Sequence, residues 1–214
     1  MIKTIVFDVG NVIWDYEVPC QRFHVNLAKF LNITPATYRR EYEKVYQDFE
    51  TDQLRLLSWC RTFNPNVSQK QLDDILSKFL SPTIYKKYLN RDVVNLIKKL
   101  KPYYSLGYLS NGENYYIPYI YRPLNHLFQF HIISCLVGIR KPAPLIYQEI
   151  FKYVNCHPNE VIFIDDKPEN IAGAKDLGIN ALLFIGYSQL FSDLSQYLPK
   201  EIISTLPAPT VHTK

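Results

Sequence analysis

Residues 3–14, which read Lys-Thr-Ile-Val-Phe-Asp-Val-Gly-Asn-Val-Ile-Trp, decide the fold. The apolar, β-branched run at residues 2–7 predicts a buried strand. The run ends at the carboxylate of Asp8, and Gly10 and Asn11 follow, two residue types that let the backbone turn sharply. Open α/β sheets bind their ligands just beyond the carboxyl ends of the strands. The stretch therefore places Asp8 either where such a sheet presents a catalytic group or at an ordinary helix cap or turn.

The composition is that of a folded protein. The chain has 214 residues, of which 47% are hydrophobic and 21% charged, which argues against disorder. A dispersed net charge of +4 does not favour nucleic acid as a partner. We find no run long enough to span a bilayer and no signal peptide, because Asp8 interrupts the first apolar run. The four cysteines lack metal spacing, so we expect reduced thiols in a cytoplasmic protein.

Helical periodicity replaces the strand pattern over residues 17–89. Apolar residues recur at helical spacing in four stretches, and Ser68 with Gln71 forms a capping-box pattern before the last of them. We therefore predict a helical-bundle insertion of four helices at residues 17–89, which either caps an active site or only adds core. Four arginines in it are candidates for reading substrate charge, or lie on solvated helix faces: Arg39, Arg40, Arg55 and Arg61.

Alternating strands and helices resume near Val93. Further strands are predicted at residues 104–109, 131–136, 161–164 and 181–185. Helices are predicted between them, including residues 142–154 and a helix near 169–177 that Gly178 ends. The fold class is therefore α/β, a Rossmann-like open parallel sheet formed by residues 1–16 and 90–205. The Pro-containing tail at 206–214 is expected to be mobile.

Three of the predicted strands end in polar groups, which belong to Asp8, to Ser110 and Asn111, and to Asp165 and Asp166. In a parallel sheet these ends lie along one edge. Crowded carboxylates need a cation, and hard oxygen ligands favour Mg²⁺. A hydroxyl, backbone amides and the ammonium of a nearby lysine suit the oxygens of a phosphoryl group. The sequence therefore predicts a magnesium-dependent phosphoryl site at this edge.

Four short motifs resemble those of the haloacid dehalogenase-like hydrolase superfamily, in the subgroup with a helical cap after the first motif. They lie at residues 7–12, 109–112, 138–142 and 163–175. The Gly-Asn pair in the first motif is most similar to that of sugar-phosphate phosphatases. The resemblance implies a haloacid dehalogenase-like core with an inserted cap. It also implies a hydrolase, monomeric or homodimeric, that acts on a small phosphorylated metabolite and binds neither nucleic acid nor membrane.

The resemblance also implies the nucleophile and the metal site. Asp8 would attack phosphorus and form an aspartyl-phosphate that water then hydrolyses. The Asp8 carboxylate, the Gly10 carbonyl and Asp166 would hold Mg²⁺. Asp165 and Asn170 would support these metal ligands through hydrogen bonds.

Phosphoryl binding is implied for three further residues. Ser110, the amide of Asn111 and Lys141 would bind the oxygens of the transferring group. Ser110 and Lys141 would thereby act with Asp8 in catalysis.

One position departs from the pattern of the superfamily. Most of its phosphatases carry a second Asp two residues after the nucleophile, which protonates the leaving oxygen, and this chain has Gly10 there. General acid–base catalysis contributes about 10² to 10⁴ in rate. The first hypothesis is a phosphatase for good leaving groups, such as the anomeric oxygen of a hexose 1-phosphate, with water or Asp15 as proton source. It predicts that Gly10→Asp speeds the hydrolysis of poor leaving groups.

Two alternatives remain open. A 2-haloacid dehalogenase needs no acid for a halide, but such relatives carry serine or asparagine in the fourth motif, where this chain has Asp165 and Asp166. Paired acids without a cation would repel each other and a carboxylate substrate. A non-catalytic relative that binds a phosphorylated ligand is the other alternative, although the nucleophile, the lysine and the metal acids are all present.

Overall fold

The computed structural model describes residues 1–209. Within them, five strands form one parallel sheet in the order β3-β2-β1-β4-β5. They are β1 (Thr4–Phe7), β2 (Ser105–Ser110), β3 (Phe130–Ile133), β4 (Val161–Asp165) and β5 (Asn180–Leu183). Phe7 on central β1 pairs with Tyr108 on β2 and with Ile164 on β4. The predicted α/β class and parallel sheet are confirmed, and the three strands that end in polar groups are neighbours.

The insertion contains six helices in the described part of the chain, so the prediction of four is wrong. They are α1 (Glu17–Phe30), α2 (Pro35–Glu43), α3 (Tyr46–Glu50), α4 (Leu56–Arg61), α5 (Gln69–Phe79) and α6 (Pro82–Lys87). The capping box of Ser68 and Gln71 begins α5 as predicted. Helices α3 and α6 have five and six residues, too few to display a helical period.

Six further helices are described outside the insertion. They are α7 (Arg91–Leu100), α8 (Ser134–Val137), α9 (Pro144–Gln148), α10 (Pro168–Lys175), α11 (Tyr187–Leu194) and α12 (Lys200–Ile203), of which α11 and α12 follow the last strand. Short 3₁₀ and π turns fill residues 114–127, where the sequence contains Pro118 and Pro123. None of the helices described within residues 1–209 is long and apolar enough to cross a membrane.

Several predicted boundaries shift in the structure. The third strand ends at Ile133 rather than residue 136, because Ser134 begins α8, which Gly138 closes with a φ of 72°. The helix predicted at 142–154 begins at Pro144 and tightens into a 3₁₀ turn after Gln148. Strand β5 ends at Leu183 instead of residue 185. Gly178 follows α10 in the left-handed region, as its predicted role as helix end requires.

Two apolar layers hold the sheet. One contains Val6, Leu109 and Phe163 and lies against α9 and α10. The other is a continuous cluster that joins Phe7 of the sheet to Phe23 of the insertion. Insertion and sheet therefore share one core, while the division into a cap at 17–89 and a core on either side stays a prediction. Of the predicted tail, Leu206 is buried and residues 210–214 lie outside the described residues.

Candidate active site

The carboxyl ends of the central strands form the edge on which the predicted residues meet. Asp8 follows β1 directly, and its backbone N–H donates to the Ile164 carbonyl of β4 at 2.7 Å. Ser110 ends β2, Asp165 ends β4, and all three side chains are buried. Buried polar groups require partners, so this edge is a built site rather than a chance cluster.

Lys141 is the electrostatic centre of this edge. Its side chain is 1% exposed, and Nζ donates to Asp8 Oδ1 at 2.8 Å, to Asp165 Oδ2 at 2.6 Å and to the Leu109 carbonyl at 3.0 Å. Burial disfavours the charge, but Asp8 and Asp165 outweigh it and raise the pKa of Lys141 above its ordinary value. The ammonium therefore stays charged at neutral pH and holds the Asp8 carboxylate in place.

The surroundings of Asp8 disfavour the negative charge of its carboxylate. Burial raises the pKa of Asp8 to about 7, Lys141 opposes the rise, and the charges of Asp165 and Asp166 add to it. A nucleophilic carboxylate must be ionised. The site therefore favours an additional cation beside Asp8, which would keep the carboxylate in its reactive form.

Asp166 provides the observation against which a metal site is tested. Its Oδ2 accepts a hydrogen bond from Asn11 Nδ2 at 3.0 Å, whereas its Oδ1 is buried and has no partner among the described residues. Carboxylate oxygens of Asp8, Asp165 and Asp166 all lie within 4.8 Å of one another. A buried oxygen without a donor is unfavourable, and clustered carboxylates suit a hard divalent cation. Asp8 and Asp166 therefore fit Mg²⁺ as direct ligands.

Asp165 differs from Asp166 because both its oxygens are already occupied. Oδ1 accepts from the Lys167 N–H at 2.8 Å and from Asn170 Nδ2 at 2.9 Å, and Oδ2 accepts from Lys141. Saturated oxygens of this kind orient neighbours rather than bind a cation directly. The arrangement agrees with the supporting role predicted for Asp165 and Asn170, which stays a prediction.

Asn111 ties β2 to the segment that carries Lys141. Its side-chain amide donates to the Lys141 carbonyl at 3.0 Å, and its Oδ1 accepts from the Lys141 N–H at 2.8 Å. Ser110 Oγ lies 3.2 Å from the Tyr121 hydroxyl. The structure thus brings the three predicted phosphoryl-binding residues to the edge that holds Asp8.

Tyr16 fills the space beside Gly10. A Cβ placed on Gly10 would lie 3.1 Å from Cδ1 and 3.2 Å from Cε1 of the Tyr16 ring. Burial and the charge of Asp166 raise the pKa of Tyr16 to about 12, so its hydroxyl keeps its proton. Asp15 is exposed and lines a different surface cavity with Lys87, a position that does not favour the proton-donating role considered for it, which stays a prediction.

A cavity of about 340 Å³ extends from Asp8 to the insertion. On the insertion side it is lined by polar residues that the sequence analysis did not identify: His24, Tyr42, Tyr46, Glu50 and Glu113. Glu113 follows the second motif by one residue, and a charged residue at that place was a usable signal. The tyrosines and His24 gave no comparable signal in the sequence, because at helical spacing they match an ordinary amphipathic helix face.

The chain belongs to the haloacid dehalogenase-like hydrolase family, whose profile matches residues 2–178. The matched stretch contains the five-residue edge formed by Asp8, Ser110, Lys141, Asp165 and Asp166. The predicted superfamily is therefore confirmed.

Several relatives resemble parts of the chain. It is 40% identical over 62 residues to flavin mononucleotide hydrolase 1 of Arabidopsis thaliana and 42% identical over 60 residues to bifunctional epoxide hydrolase 2 of Rattus norvegicus. These stretches are 29% and 28% of this chain, and they span only 25% and 11% of the two relatives. It is 28% identical over 196 residues to D-ribitol-5-phosphate phosphatase of Bacteroides thetaiotaomicron, covering 83% of this chain and 89% of that protein.

A solved structure supports the fold. The structure of a haloacid dehalogenase family enzyme from Bacteroides thetaiotaomicron, in complex with magnesium and inorganic phosphate, superimposes with a TM-score of 0.69. The alignment covers 89% of this chain and 100% of that one at 22% sequence identity. At this identity the similarity establishes the shared architecture of parallel sheet and inserted helices.

Proposed function

We propose that this protein is a Mg²⁺-dependent phosphatase that forms an aspartyl-phosphate on Asp8. Its substrate is a small phosphorylated metabolite, such as a sugar phosphate of the hexose 1-phosphate type. The observation that carries the proposal is the buried Lys141, hydrogen-bonded to Asp8 and Asp165, beside Asp166 Oδ1, which has no partner within residues 1–209. The phosphatase named among the relatives, and the related enzyme bound to magnesium and phosphate, support the same chemistry.

In the first step, Asp8 attacks phosphorus, so that a carboxylate oxygen–phosphorus bond forms while the bond to the leaving oxygen breaks. Ser110, the Asn111 amide and Lys141 bind the phosphoryl oxygens as their charge redistributes. Asp8, the Gly10 carbonyl and Asp166 would hold Mg²⁺. When bound, the ion would neutralise the negative charge that otherwise keeps an anionic phosphate away from the nucleophile.

In the second step, water attacks the phosphorus of the aspartyl-phosphate and releases inorganic phosphate with the free Asp8 carboxylate. Gly10 leaves the site without the acid that most phosphatases of the superfamily use to protonate the leaving group. An anomeric oxygen leaves more easily than a simple alkoxide, so a sugar 1-phosphate reduces the need for that proton. Gly10 therefore favours this substrate over monophosphates of ordinary alcohols.

A substrate screen tests the proposal. Phosphorylated metabolites and 4-nitrophenyl phosphate are assayed with Mg²⁺ and with a chelator, and Asp8→Asn is the blank. We expect turnover that needs Mg²⁺ and falls by at least about 10³-fold in Asp8→Asn, which keeps the shape of the site but lacks the nucleophile. Equal phosphate release by the wild type and Asp8→Asn would contradict the proposal.

Gly10 also suits a dehalogenase, since a halide leaves without a proton. Against that alternative, the carboxylates of Asp165 and Asp166 crowd Asp8 and would repel the carboxylate of a 2-haloacid. Turnover of 2-haloacids in the presence of a chelator, without phosphatase activity, would favour the dehalogenase. Binding of phosphate esters by the wild type without any turnover would favour a non-catalytic protein.

A further inference from the structure

The insertion side of the cavity carries two hydrogen-bonded pairs of side chains, which we together call the Glu113 subsite: Glu113 with Tyr42, and His24 with Tyr116. Glu113 follows β2 of the core, and the Tyr42 hydroxyl of α2 donates to its Oε1. His24 Nε2 lies 3.3 Å from the Tyr116 hydroxyl, and its Nδ1 lies 2.7 Å from the hydroxyl of Tyr38. These contacts fix the side chains before any ligand arrives.

The Glu113 subsite lacks a positive charge. Burial lowers the pKa of His24 to about 4, so its imidazole is neutral at physiological pH. The four arginines that we considered for reading substrate charge are exposed, and none lines the cavity in the described part of the chain: Arg39, Arg40, Arg55 and Arg61. Arg140 is engaged by Glu50 at 2.6 Å.

The lysines that line the cavity within residues 1–209 stand at the opposite side. Lys141 bonds to Asp8, and Lys167 directly follows Asp166. The cavity is thus polarised, with ammonium groups where a phosphoryl group would bind and, toward the insertion, the carboxylate of Glu113 beside the ion pair of Glu50 and Arg140. A ligand that spans the cavity is attracted through one anionic group at the lysine end, and a second anionic group at the insertion end would be repelled.

We propose that Glu113, held by Tyr42, is the specificity-determining residue that accepts hydrogen bonds from hydroxyls of the substrate and rejects a second acidic group. This inference rests on the proposed phosphatase activity and narrows its substrate class. The substrates are monophosphates whose organic part is an uncharged sugar or polyol. Bisphosphates and phosphorylated acids are excluded.

Two physical arguments support this class. A carboxylate that lacks a cationic partner gains most from donors, and several hydroxyls on adjacent carbons supply them in a short space. The cavity volume of about 340 Å³ lies near the lower end of the range of about 300 to 1,000 Å³ for small-molecule sites. A small hydroxylated tail therefore matches both the donors and the space that the cavity offers.

A matched substrate pair tests the inference. Sorbitol 6-phosphate and 6-phosphogluconate differ only at carbon 1, where a hydroxymethyl group replaces a carboxylate. Both carry the same primary-alcohol leaving group, so the absence of an acid at Gly10 slows both alike and their ratio reports the tail alone. We expect wild-type protein at pH 8 to favour sorbitol 6-phosphate in kcat/KM by at least about tenfold, because like charges close together disfavour binding. Glu113→Gln should reduce this preference by about tenfold, since the amide keeps the shape and one acceptor but loses the charge.

Two further variants make the comparison decisive. Glu43→Gln removes an exposed carboxylate on the same helix as Tyr42 and should leave the substrate preference unchanged. Tyr42→Phe removes the donor to Glu113 and should weaken the preference through KM rather than kcat, which tests the inference even where Glu113→Gln does not fold. Binding of both compounds to the Asp8→Asn protein, measured by calorimetry, repeats the comparison without turnover.

Several outcomes would overturn the inference. One is an equal preference in the wild type and Glu113→Gln, and another is a wild type that does not distinguish the two compounds. A higher kcat/KM for phosphoethanolamine than for sorbitol 6-phosphate would show that the subsite prefers an amine to a hydroxylated tail. By contrast, a wild type that fails to hydrolyse 4-nitrophenyl phosphate would contradict the proposed phosphatase, while calorimetry still tests the Glu113 subsite.

Discussion

At the scale of single residues, the position of Tyr16 changes the effect expected from an aspartate at residue 10. The sequence suggests only that an acid is missing, and restoring it looks sufficient. The structure places the Tyr16 ring 3.1 Å from the position of a Cβ on Gly10. An aspartate there has to displace a half-buried aromatic ring, and overpacking of this kind costs about 1 to 3 kcal/mol.

We therefore expect Gly10→Asp alone to lower stability without speeding the hydrolysis of poor leaving groups. The double variant Gly10→Asp with Tyr16→Ala has room for the carboxyl group. Its rate of alkyl phosphate hydrolysis should exceed that of Tyr16→Ala alone by about 10- to 100-fold. The gain should shrink for 4-nitrophenyl phosphate, whose leaving group needs no proton. Rates across a leaving-group series measure this, and an equal gain in the single and double variants would show that Tyr16 does not obstruct the position.

The raised pKa of Glu113 makes the free energy of unfolding depend on pH. Burial raises the pKa of Glu113 from 4.5 to about 7, the hydrogen bond from Tyr42 opposes this, and the charge of Glu50 adds to it. Tyr42 and Tyr115 also face the carboxyl, but their own pKa values are raised well above 10 and they do not titrate in this range. The folded state thus binds the Glu113 proton more tightly than the unfolded state does.

The stabilisation from that proton is complete below about pH 4.5 and is lost as the pH rises through about 7. Glu113→Gln removes this dependence. We expect the variant to gain roughly 1 to 3 kcal/mol in unfolding free energy relative to the wild type between pH 5 and pH 8. Urea unfolding of both proteins at several pH values measures the difference. A constant difference over this range would mean that Glu113 titrates normally.

At the scale of elements, one ion pair joins the insertion to the segment that carries Lys141. Arg140 Nε lies 2.6 Å from Glu50 Oε2 on α3, and the Arg140 guanidinium stands 5.5 Å from the centre of the Tyr46 ring. Both partners are largely buried, so water screens this pair less than an exposed one. The contact holds α3 against the edge of the sheet beside the cavity.

Glu50→Gln should loosen that contact. We expect KM for a sugar phosphate to rise about three- to tenfold with a smaller change in kcat, because the chemistry at Asp8 is untouched while the insertion holds the substrate less firmly. Glu41→Gln, which breaks the exposed pair with Lys44 on α2, is the matched control and should leave KM unchanged. Similar effects of the two substitutions would argue that the Arg140 contact does not position the cavity wall.

The elements that the sequence predicted correctly carry strong local patterns. Strands β1 and β4 lie in continuous apolar runs rich in Val and Ile, and the capping box of Ser68 and Gln71 marks the start of α5. Helices α3 and α6 have fewer than two turns, so their sequences display little period and packing decides whether they form. For the same reason Ser134 could end a strand or begin α8, and only the left-handed Gly138 resolves it.

The sequence predicts which residues of the site stand at strand ends, but it does not predict the hydrogen bonds that join them. Asp8, Ser110 and Asp165 follow from the rule that parallel strands meet at one edge. The bridge of Lys141 between Asp8 and Asp165 depends on a backbone path of more than a hundred residues, which no local pattern encodes. Glu113 adjoins the second motif, but its hydrogen bond with Tyr42, 71 residues away in the insertion, has no local pattern that predicts it.

At the scale of the whole molecule, insertion and sheet are parts of one packed body. Phe23 of α1 lies against Tyr115 and Tyr116, which come two and three residues after Glu113 and beyond the second motif, and its ring centre lies 5.9 Å and 6.0 Å from theirs. The same turns carry Glu113 into the cavity. The apolar contact between α1 and this turn therefore also sets where the insertion wall stands relative to the catalytic edge.

The balance of charge at the sheet edge affects the stability of the entire fold. Three carboxylates, those of Asp8, Asp165 and Asp166, have oxygens within 4.8 Å of one another, and one buried ammonium, that of Lys141, lies among them. Two negative charges are left without compensation in a poorly solvated place. Their repulsion opposes folding, and a divalent cation that binds only the folded protein removes it.

We therefore expect Mg²⁺ at about 100 times its dissociation constant to raise the melting temperature by roughly 5 to 10 °C. Asp166→Asn removes one of the repelling charges, so it should melt above the wild type without Mg²⁺ and lose most of the shift. Asp176→Asn, an exposed position at the end of α10, should keep the shift. Thermal scans at constant ionic strength measure this, and equal shifts in all three proteins would place the cation somewhere other than beside Asp166.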